Sequence, residues 1–182
     1  MMPIVAALAL LALAVCLLDL VFTLGVIRRL RHHTELISTL SGAMPSGMLA
    51  EGETAGPFEA VATTGEPVSR GRLSGRTLVG VFTPRCPACE EKLPAFVESA
   101  ATFPGGRDQV IAVVVGESED DTAPYRERLE PVARVVTEPP MTGEISSALE
   151  VNGFPSFGVL DQSGTVVGTG LEPARPAATA GV

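Results

Sequence analysis

Residues 77–101 read TLVGVFTPRCPACEEKLPAFVESAA, and this stretch decides the fold. It begins with an apolar run over residues 77–82, which predicts a buried strand. Apolar residues then recur at helical spacing, so residues 90–101 predict a helix. Between the strand and the helix lie Cys86 and Cys89, separated by two residues. A cysteine pair at such a junction can carry out thiol–disulfide exchange or bind a metal.

The rest of the chain alternates predicted strands and helices from residue 56 onward. Apolar, β-branched runs predict strands, and amphipathic stretches between them predict helices. This alternation predicts an α/β sheet with parallel crossovers, closed by an antiparallel hairpin. The further strands are expected at residues 58–63, 67–69, 109–115, 132–137, 156–160 and 165–170, and the further helices at 120–130 and 142–151.

An apolar segment, residues 3–27, precedes the predicted domain, and Asp19 is its only charge. As a helix it would be about 37 Å long, enough to cross a hydrocarbon core of about 30 Å. A cleaved signal peptide is the rival interpretation, but no basic residue precedes the apolar run and the run is too long for one. We therefore predict an uncleaved transmembrane anchor and a single-pass protein of the cell membrane.

Three further segments complete the predicted organisation. Residues 28–53 are expected to form a juxtamembrane helix followed by a linker, because their second half is rich in Gly, Ser, Met and Pro. The main domain is predicted at residues 54–171. Residues 172–182 are rich in Pro and Ala, and we expect them to form a flexible tail.

Composition limits the possible partners and metals. The chain after residue 40 holds 19 acidic and 10 basic residues, which argues against a nucleic-acid partner. Cys16 and the two histidines, His32 and His33, lie in or next to the apolar segment. Cys86 and Cys89 therefore lack the two further N or S ligands of a closed zinc site. No metal and no cofactor is expected beyond a redox-active disulfide between these two cysteines.

The position of Cys86 at the start of a helix favours its thiolate. Unpaired N–H groups and the positive end of the helix dipole stabilise negative charge there. Cys86 is therefore the expected nucleophile, and Cys89, one turn further on, is the expected resolving thiol. The charge of Arg85 favours the thiolate, whereas the charges of Glu90 and Glu91 oppose it. Pro155, within the GFPS segment of residues 153–156, could form a cis-proline loop that faces the two sulfurs.

Together these motifs resemble the thioredoxin superfamily, and more narrowly its membrane-anchored TlpA-like thiol–disulfide oxidoreductases, with the MauD-like branch the nearest. The resemblance rests on PRCPAC at residues 84–89, on Pro94 and on GFPS at residues 153–156. It implies a thioredoxin-like fold, a central mixed sheet flanked by helices, over residues 54–171. It also implies client-protein disulfides or dithiols as substrates, with an upstream redox donor or acceptor as a second partner. The supporting residues that it implies are Arg85, Pro87, Pro94 and Phe154.

Two positions depart from the thioredoxin pattern. Arg85 stands where thioredoxins have a tryptophan before the first cysteine. Gly80 stands where they have a buried aspartate that assists proton transfer. No obvious base replaces that aspartate, and Glu66 is no more than a guess.

These observations predict a membrane-anchored thiol–disulfide oxidoreductase that reduces or matures disulfides of client proteins. One alternative is a peroxiredoxin-like thiol peroxidase. Thr83 lies three residues before Cys86, as in the peroxidatic motif, although Val79 stands where that motif has a proline. The other alternative is a non-catalytic maturation or interaction protein on the same fold.

The side of the membrane has two interpretations. The resemblance implies that the thiol domain faces the extracytoplasmic side, which we prefer. Arg28, Arg29 and Arg31 follow the apolar segment, and by the positive-inside rule they favour the cytoplasmic side. A globular domain can be translocated despite three flanking charges.

Overall fold

The computed structural model of this protein describes residues 47–170. The predicted membrane anchor of residues 3–27, most of the juxtamembrane segment and the predicted tail of residues 172–182 lie outside the described residues. Within residues 47–170, no helix is both long enough and apolar enough to cross a membrane.

The described residues form strands and helices in the predicted alternating order. The strands are β1 Glu59–Val61, β2 Pro67–Ser69, β3 Thr77–Phe82, β4 Val110–Val115, β5 Arg134–Glu138, β6 Ser156–Leu160 and β7 Val166–Gly170. The helices are α1 Pro87–Ala101, α2 Glu119–Leu129 and α3 Glu144–Ala148. The predicted bounds of β2, β3 and β6 are confirmed, and the other elements differ from prediction only at their ends.

One mixed sheet organises the domain, with the strand order β5-β4-β3-β6-β7. β3, β4 and β5 run parallel, and β6 is antiparallel to both β3 and β7. Parallel neighbours require crossover connections, which α1 supplies between β3 and β4, and α2 between β4 and β5. β1 and β2 form a separate antiparallel hairpin. The mixed sheet flanked by helices confirms the predicted α/β architecture.

Both faces of this sheet are buried, which explains the continuous apolar runs of β3 and β4. Side chains alternate between the faces, so Leu78 and Phe82 belong to one hydrophobic cluster, and Val79 and Val81 to the other. Burial of each of these side chains stabilises the folded state by about 1.5–3 kcal/mol. The helical residues in the first cluster include Leu93, Phe96, Tyr125 and Leu129, and those in the second include Ile145.

The predicted linker is wrong for residues 47–53, which belong to the domain. Met48 and Leu49 are buried in the second cluster. The backbone N–H of Leu49 donates to the carbonyl of Leu149 at 2.9 Å. A Gly- and Ser-rich composition is typical of linkers, but here two apolar side chains are buried and the backbone bonds to residues 149 and 166, which together offset the chain entropy that the segment loses.

Two helices differ from their predicted bounds for local reasons. α1 begins at Pro87, three residues before the predicted start. Proline suits the first position of a helix, because the N–H that it lacks would have no partner there. α3 is shorter than the predicted helix of residues 142–151. Glu150 has a φ of 51°, which lies in the left-handed region and ends the helical path.

Candidate active site

Cys86 lies where β3 passes into α1. It is the N-cap residue of that helix, and its Sγ accepts a hydrogen bond from the backbone N–H of Cys89 at 3.3 Å. Pro87 occupies the first helical position, where proline is common. The Cys86 side chain is half-buried, so its sulfur borders solvent at the carboxyl end of β3. This is the position from which a sulfur can attack an incoming disulfide.

Cys89 differs from Cys86 in its surroundings. It is fully buried within the cluster formed by α1, α2 and the sheet, and both cysteines are free thiols. Burial is the main reason that the pKa of Cys89 rises to about 12, and a side-chain hydrogen bond with Cys86 adds to it. A backbone hydrogen bond with Thr83 acts in the opposite direction. Cys89 is therefore a protonated, protected thiol one turn behind an accessible one.

A second loop reaches Cys86 from the amino end of β6. The peptide bond between Phe154 and Pro155 is cis. The Sγ of Cys86 lies 4.0 Å from the carbonyl oxygen of Phe154, to which its S–H donates. β6 is antiparallel to β3, with Ser156 opposite Val81, so its amino end meets the carboxyl end of β3. Pro155 itself is buried, while the Phe154 side chain is 37% exposed beside the sulfur.

Arg85 points toward α2. Its Nη2 lies 3.3 Å from Oδ2 of Asp121, and its backbone has a φ of 60° in the left-handed region. The Arg85 side chain is 75% exposed, so this ion pair is screened by water. Arg85 thus links the loop before Cys86 to the first turn of α2.

Pro94 lies inside α1, as predicted, and is exposed. Its ring has no N–H, so the carbonyl of Glu90 lacks the usual helical donor four residues later. The helix continues for seven residues beyond it, to Ala101.

Glu66 is not the base that the sequence left open. Its carboxylate accepts two hydrogen bonds from Nη1 of Arg107, at 3.0 and 3.1 Å. Arg107 lies just before β4, at the amino ends of the parallel strands, whereas Cys86 follows their carboxyl ends. Glu66 therefore lies at the opposite end of the sheet from the cysteines.

The hydroxyl of Thr83 donates its hydrogen bond to β4 and not to Cys86. Its Oγ1 donates to the carbonyl oxygen of Val115 at 2.9 Å, which ties the loop to the end of β4. A peroxidatic threonine would have to direct its hydroxyl at the sulfur instead. Among residues 47–170, no group of three or more His, Cys, Asp or Glu side chains is arranged to hold a metal ion.

The sequence predicts no role for Tyr125, which is a buried residue of α2. It belongs to the same buried cluster as Cys89, and its ring centroid lies 6.0 Å from that of Phe82. Thr122, Tyr125 and Leu129 are the buried residues of α2. Their three- and four-residue spacing is the signal that could have marked this face as buried.

Comparison with known proteins identifies a family. The family profile described as Redoxin matches residues 45–181. No curated protein matches the chain significantly. Among solved structures, a thiol:disulfide interchange protein from Chlorobium tepidum TLS has a TM-score of 0.53 and 24% identity, covering 70% of this chain and 90% of its own.

Two further solved structures are similar at the level of the fold. A thiol:disulfide interchange protein from Bacteroides sp. has a TM-score of 0.51 and 20% identity, covering 66% of this chain and 81% of its own. A thio-disulfide isomerase from Thermus thermophilus has a TM-score of 0.53 and 20% identity, covering 69% of this chain and 89% of its own. The shared architecture is thioredoxin-like.

Proposed function

This chain belongs to the Redoxin family and is a thiol–disulfide oxidoreductase, and we propose that Cys86 and Cys89 form its redox pair. Its substrates are thiol-containing proteins. We propose further that it reduces disulfides of client proteins while tethered to a membrane. The observation that carries the assignment of the pair is the contrast between an accessible Cys86 beside the Phe154 carbonyl and a buried Cys89.

In the first step, the thiolate of Cys86 attacks one sulfur of a client disulfide. A bond forms between Cys86 Sγ and that sulfur, and the second client sulfur leaves as a thiolate and takes up a proton. The N-cap position supports this role, because the N–H of Cys89 already points at the sulfur at 3.3 Å. The cis Phe154–Pro155 loop supports it too, because it presents a backbone carbonyl to a client strand beside Cys86.

In the second step, Cys89 resolves the mixed disulfide. Its proton leaves, and its thiolate attacks Cys86 Sγ, which releases the remaining client sulfur as a thiolate. The client disulfide gains two electrons and becomes a dithiol, while Cys86 and Cys89 lose two electrons and become a disulfide. A reduced upstream dithiol then restores the pair. The raised pKa of Cys89 keeps it protonated until Cys86 has reacted.

Insulin reduction tests this assignment. The full chain, with dithiothreitol as electron source, is expected to accelerate insulin precipitation. Cys86→Ser is expected to abolish the acceleration and Cys89→Ser to prevent turnover, since the mixed disulfide would not resolve. Consumption of hydrogen peroxide, faster than insulin reduction and dependent on Cys86, would favour the peroxidase instead. Normal biological function of Cys86→Ser would favour a non-catalytic client-holding role.

We also propose that residues 3–27 anchor the protein, with the thiol domain on the extracytoplasmic side. The length and apolar character of this segment support the anchor. A membrane-impermeant thiol reagent applied to intact cells tests the orientation in a chain carrying Cys16→Ser. Labelling of Cys86 before lysis is expected. Labelling only after lysis would place the domain in the cytoplasm, as Arg28 and Arg29 would favour.

A further inference from the structure

The hydroxyl of Tyr125 is buried without a partner. The residue is 6% exposed, and among residues 47–170 no group forms a hydrogen bond with its Oη. A buried hydroxyl without a partner lowers stability, whereas phenylalanine would fill the same space at no such cost. The hydroxyl therefore does not stabilise the resting fold.

The surroundings of this hydroxyl point to Cys89. Both residues belong to one buried cluster, against which Cys86 also packs. Burial raises the pKa of Tyr125 to about 12, and the charge that a Cys89 thiolate would carry is the next largest cause. Glu90 and Cys86 act in the same direction, and Arg128 opposes them. These groups come from α1, from the loop before it and from α2 itself, so Tyr125 stays protonated and its hydroxyl can donate a hydrogen bond to a thiolate.

An exposed ion pair joins the helix that carries Tyr125 to the active-site loop. Asp121 lies one turn before Tyr125 and pairs with Arg85, next to Cys86. Thr122 is buried between them and donates to the carbonyl of Glu119 at 3.1 Å. The first turn of α2 thus borders the loop before Cys86, and Tyr125 follows one turn later in the same buried cluster as Cys89.

We propose that Tyr125 donates a hydrogen bond to the sulfur of Cys89 when that sulfur becomes a thiolate during resolution. The inference rests on the proposed redox pair. The Cys89 proton leaves to the departed client thiolate or to water, and the Cys89 thiolate attacks Cys86. The bond between Cys86 and the client breaks, and the client sulfur leaves as a thiolate and is protonated by water. Tyr125 keeps its own proton throughout and lowers the cost of charge in an apolar site.

This role fits the lack of an acid at position 80. A carboxylate there could accept the Cys89 proton, but Gly80 has no side chain and Phe96 borders it closely. A neutral phenol cannot accept the proton. It can instead stabilise the thiolate that remains, because hydrogen bonds to charged groups are about twice as strong as neutral ones.

Ellman's reagent separates the two steps in one experiment. The full chain carrying Cys16→Ser, in its reduced form, reacts first at Cys86 and releases one thionitrobenzoate. Attack by Cys89 on the resulting mixed disulfide releases a second. Stopped-flow absorbance follows both phases as a function of pH, in the parent chain, in Tyr125→Phe and in Thr122→Val. Thr122→Val is the matched control, since it removes another buried hydroxyl from α2.

Tyr125→Phe is expected to slow the second phase by about tenfold or more and to shift its pH profile upward, while the first phase stays within about twofold. Thr122→Val is expected to leave the second phase unchanged. If the second phase of Tyr125→Phe has the same rate and pH profile as that of the parent chain, the proposed role of Tyr125 is overturned, while the redox pair stands. Release of a single thionitrobenzoate by the parent chain would overturn the redox pair, and the inference with it.

A second replacement keeps the phenol and changes its packing little. Tyr125 is the single tyrosine of the chain, so biosynthetic incorporation of fluorotyrosine changes this phenol alone. Fluorination makes the hydroxyl a stronger donor. The second phase is expected to become faster at equal pH, with melting temperature unchanged. A second phase that is unchanged or slower would contradict the proposed hydrogen bond.

Discussion

The ring of Phe96 occupies the space into which a side chain at position 80 would extend. A Cβ on Gly80 would overlap the Cε2 and Cζ atoms of this ring. Phe96 cannot easily move aside, because it stacks on Phe157 at 5.6 Å and meets the edge of Phe82 at 5.2 Å. The aromatic packing behind the cysteines therefore requires glycine in the centre of β3.

Substitution of Gly80 is expected to destabilise the domain. Gly80→Ala should lower the free energy of unfolding by about 1–3 kcal/mol, because the methyl group overpacks a full core. Gly80→Asp should cost more, because it also buries a carboxyl group without a partner. Gly71→Ala is the control, since a Cβ there meets no atom within 4 Å. Urea unfolding that shows Gly80→Ala to be as stable as Gly71→Ala would contradict this packing.

The inclusion of residues 47–53 in the domain can be tested with two methionines. Met48 is 3% exposed, whereas Met141 is 99% exposed. Met48→Ala is expected to lower the free energy of unfolding by about 2–5 kcal/mol, as is usual for a buried methionine. Met141→Ala should change it by less than about 0.5 kcal/mol. Equal effects of the two substitutions in chemical denaturation would show that residues 47–53 form a linker, as the sequence predicts.

Backbone strain at Arg85 gives a third prediction. Arg85→Ala and Arg85→Gly both remove the ion pair with Asp121, but only alanine keeps a Cβ at a φ of 60°. Arg85→Gly is therefore expected to be more stable than Arg85→Ala by about 0.5–1 kcal/mol. Thermal or urea unfolding of the two variants measures the difference. Greater stability of the alanine variant would show that the loop does not hold this conformation.

Stability at alkaline pH gives a fourth prediction. The pKa of Cys89 is raised in the folded state to about 12, so its contribution to stability is complete below the pKa of an unfolded thiol, about 8.5. It is lost as the pH rises toward the folded value, because the unfolded chain ionises first. The pKa of Tyr125 is also raised to about 12, so this residue affects stability in the same direction at somewhat higher pH.

The free energy of unfolding of the reduced protein should therefore decline above about pH 8.5. The decline should be shallower in Cys89→Ala, which has lost one of the two titrating groups. Urea unfolding at a series of pH values compares the two chains. An identical slope in both would mean that Cys89 is not buried as a neutral thiol.

Much of the fold could be predicted because local signals agree with the tertiary structure. β3 and β6 are apolar runs bounded by Pro, Gly and Asp, so their ends are set by neighbouring residues. The helix after the cysteines follows from apolar spacing. Cys86 and Pro155 could be paired as candidates from their motifs, and the pairing of β3 with β6 brings the two loops together.

The remaining features depend on contacts between distant segments. The burial of Met48 requires the second face of the sheet, which no local pattern in residues 47–53 reveals. The close packing of Phe96 against Gly80 and the presence of Tyr125 and Cys89 in one buried cluster follow from the packing of helices on the sheet. The direction of Arg85 toward Asp121 depends on a backbone conformation that is unusual for arginine.

Trapping of the mixed disulfide tests the central claim, that Cys86 attacks and Cys89 resolves, most directly. Reduced chains carrying Cys16→Ser, with either Cys89→Ser or Cys86→Ser, are mixed with a protein disulfide and analysed by non-reducing electrophoresis and peptide mass spectrometry. The Cys89→Ser chain should accumulate a covalent complex through Cys86 that dithiothreitol reverses, and the Cys86→Ser chain should form none. A complex through Cys89, or equal complexes in both chains, would contradict the assignment.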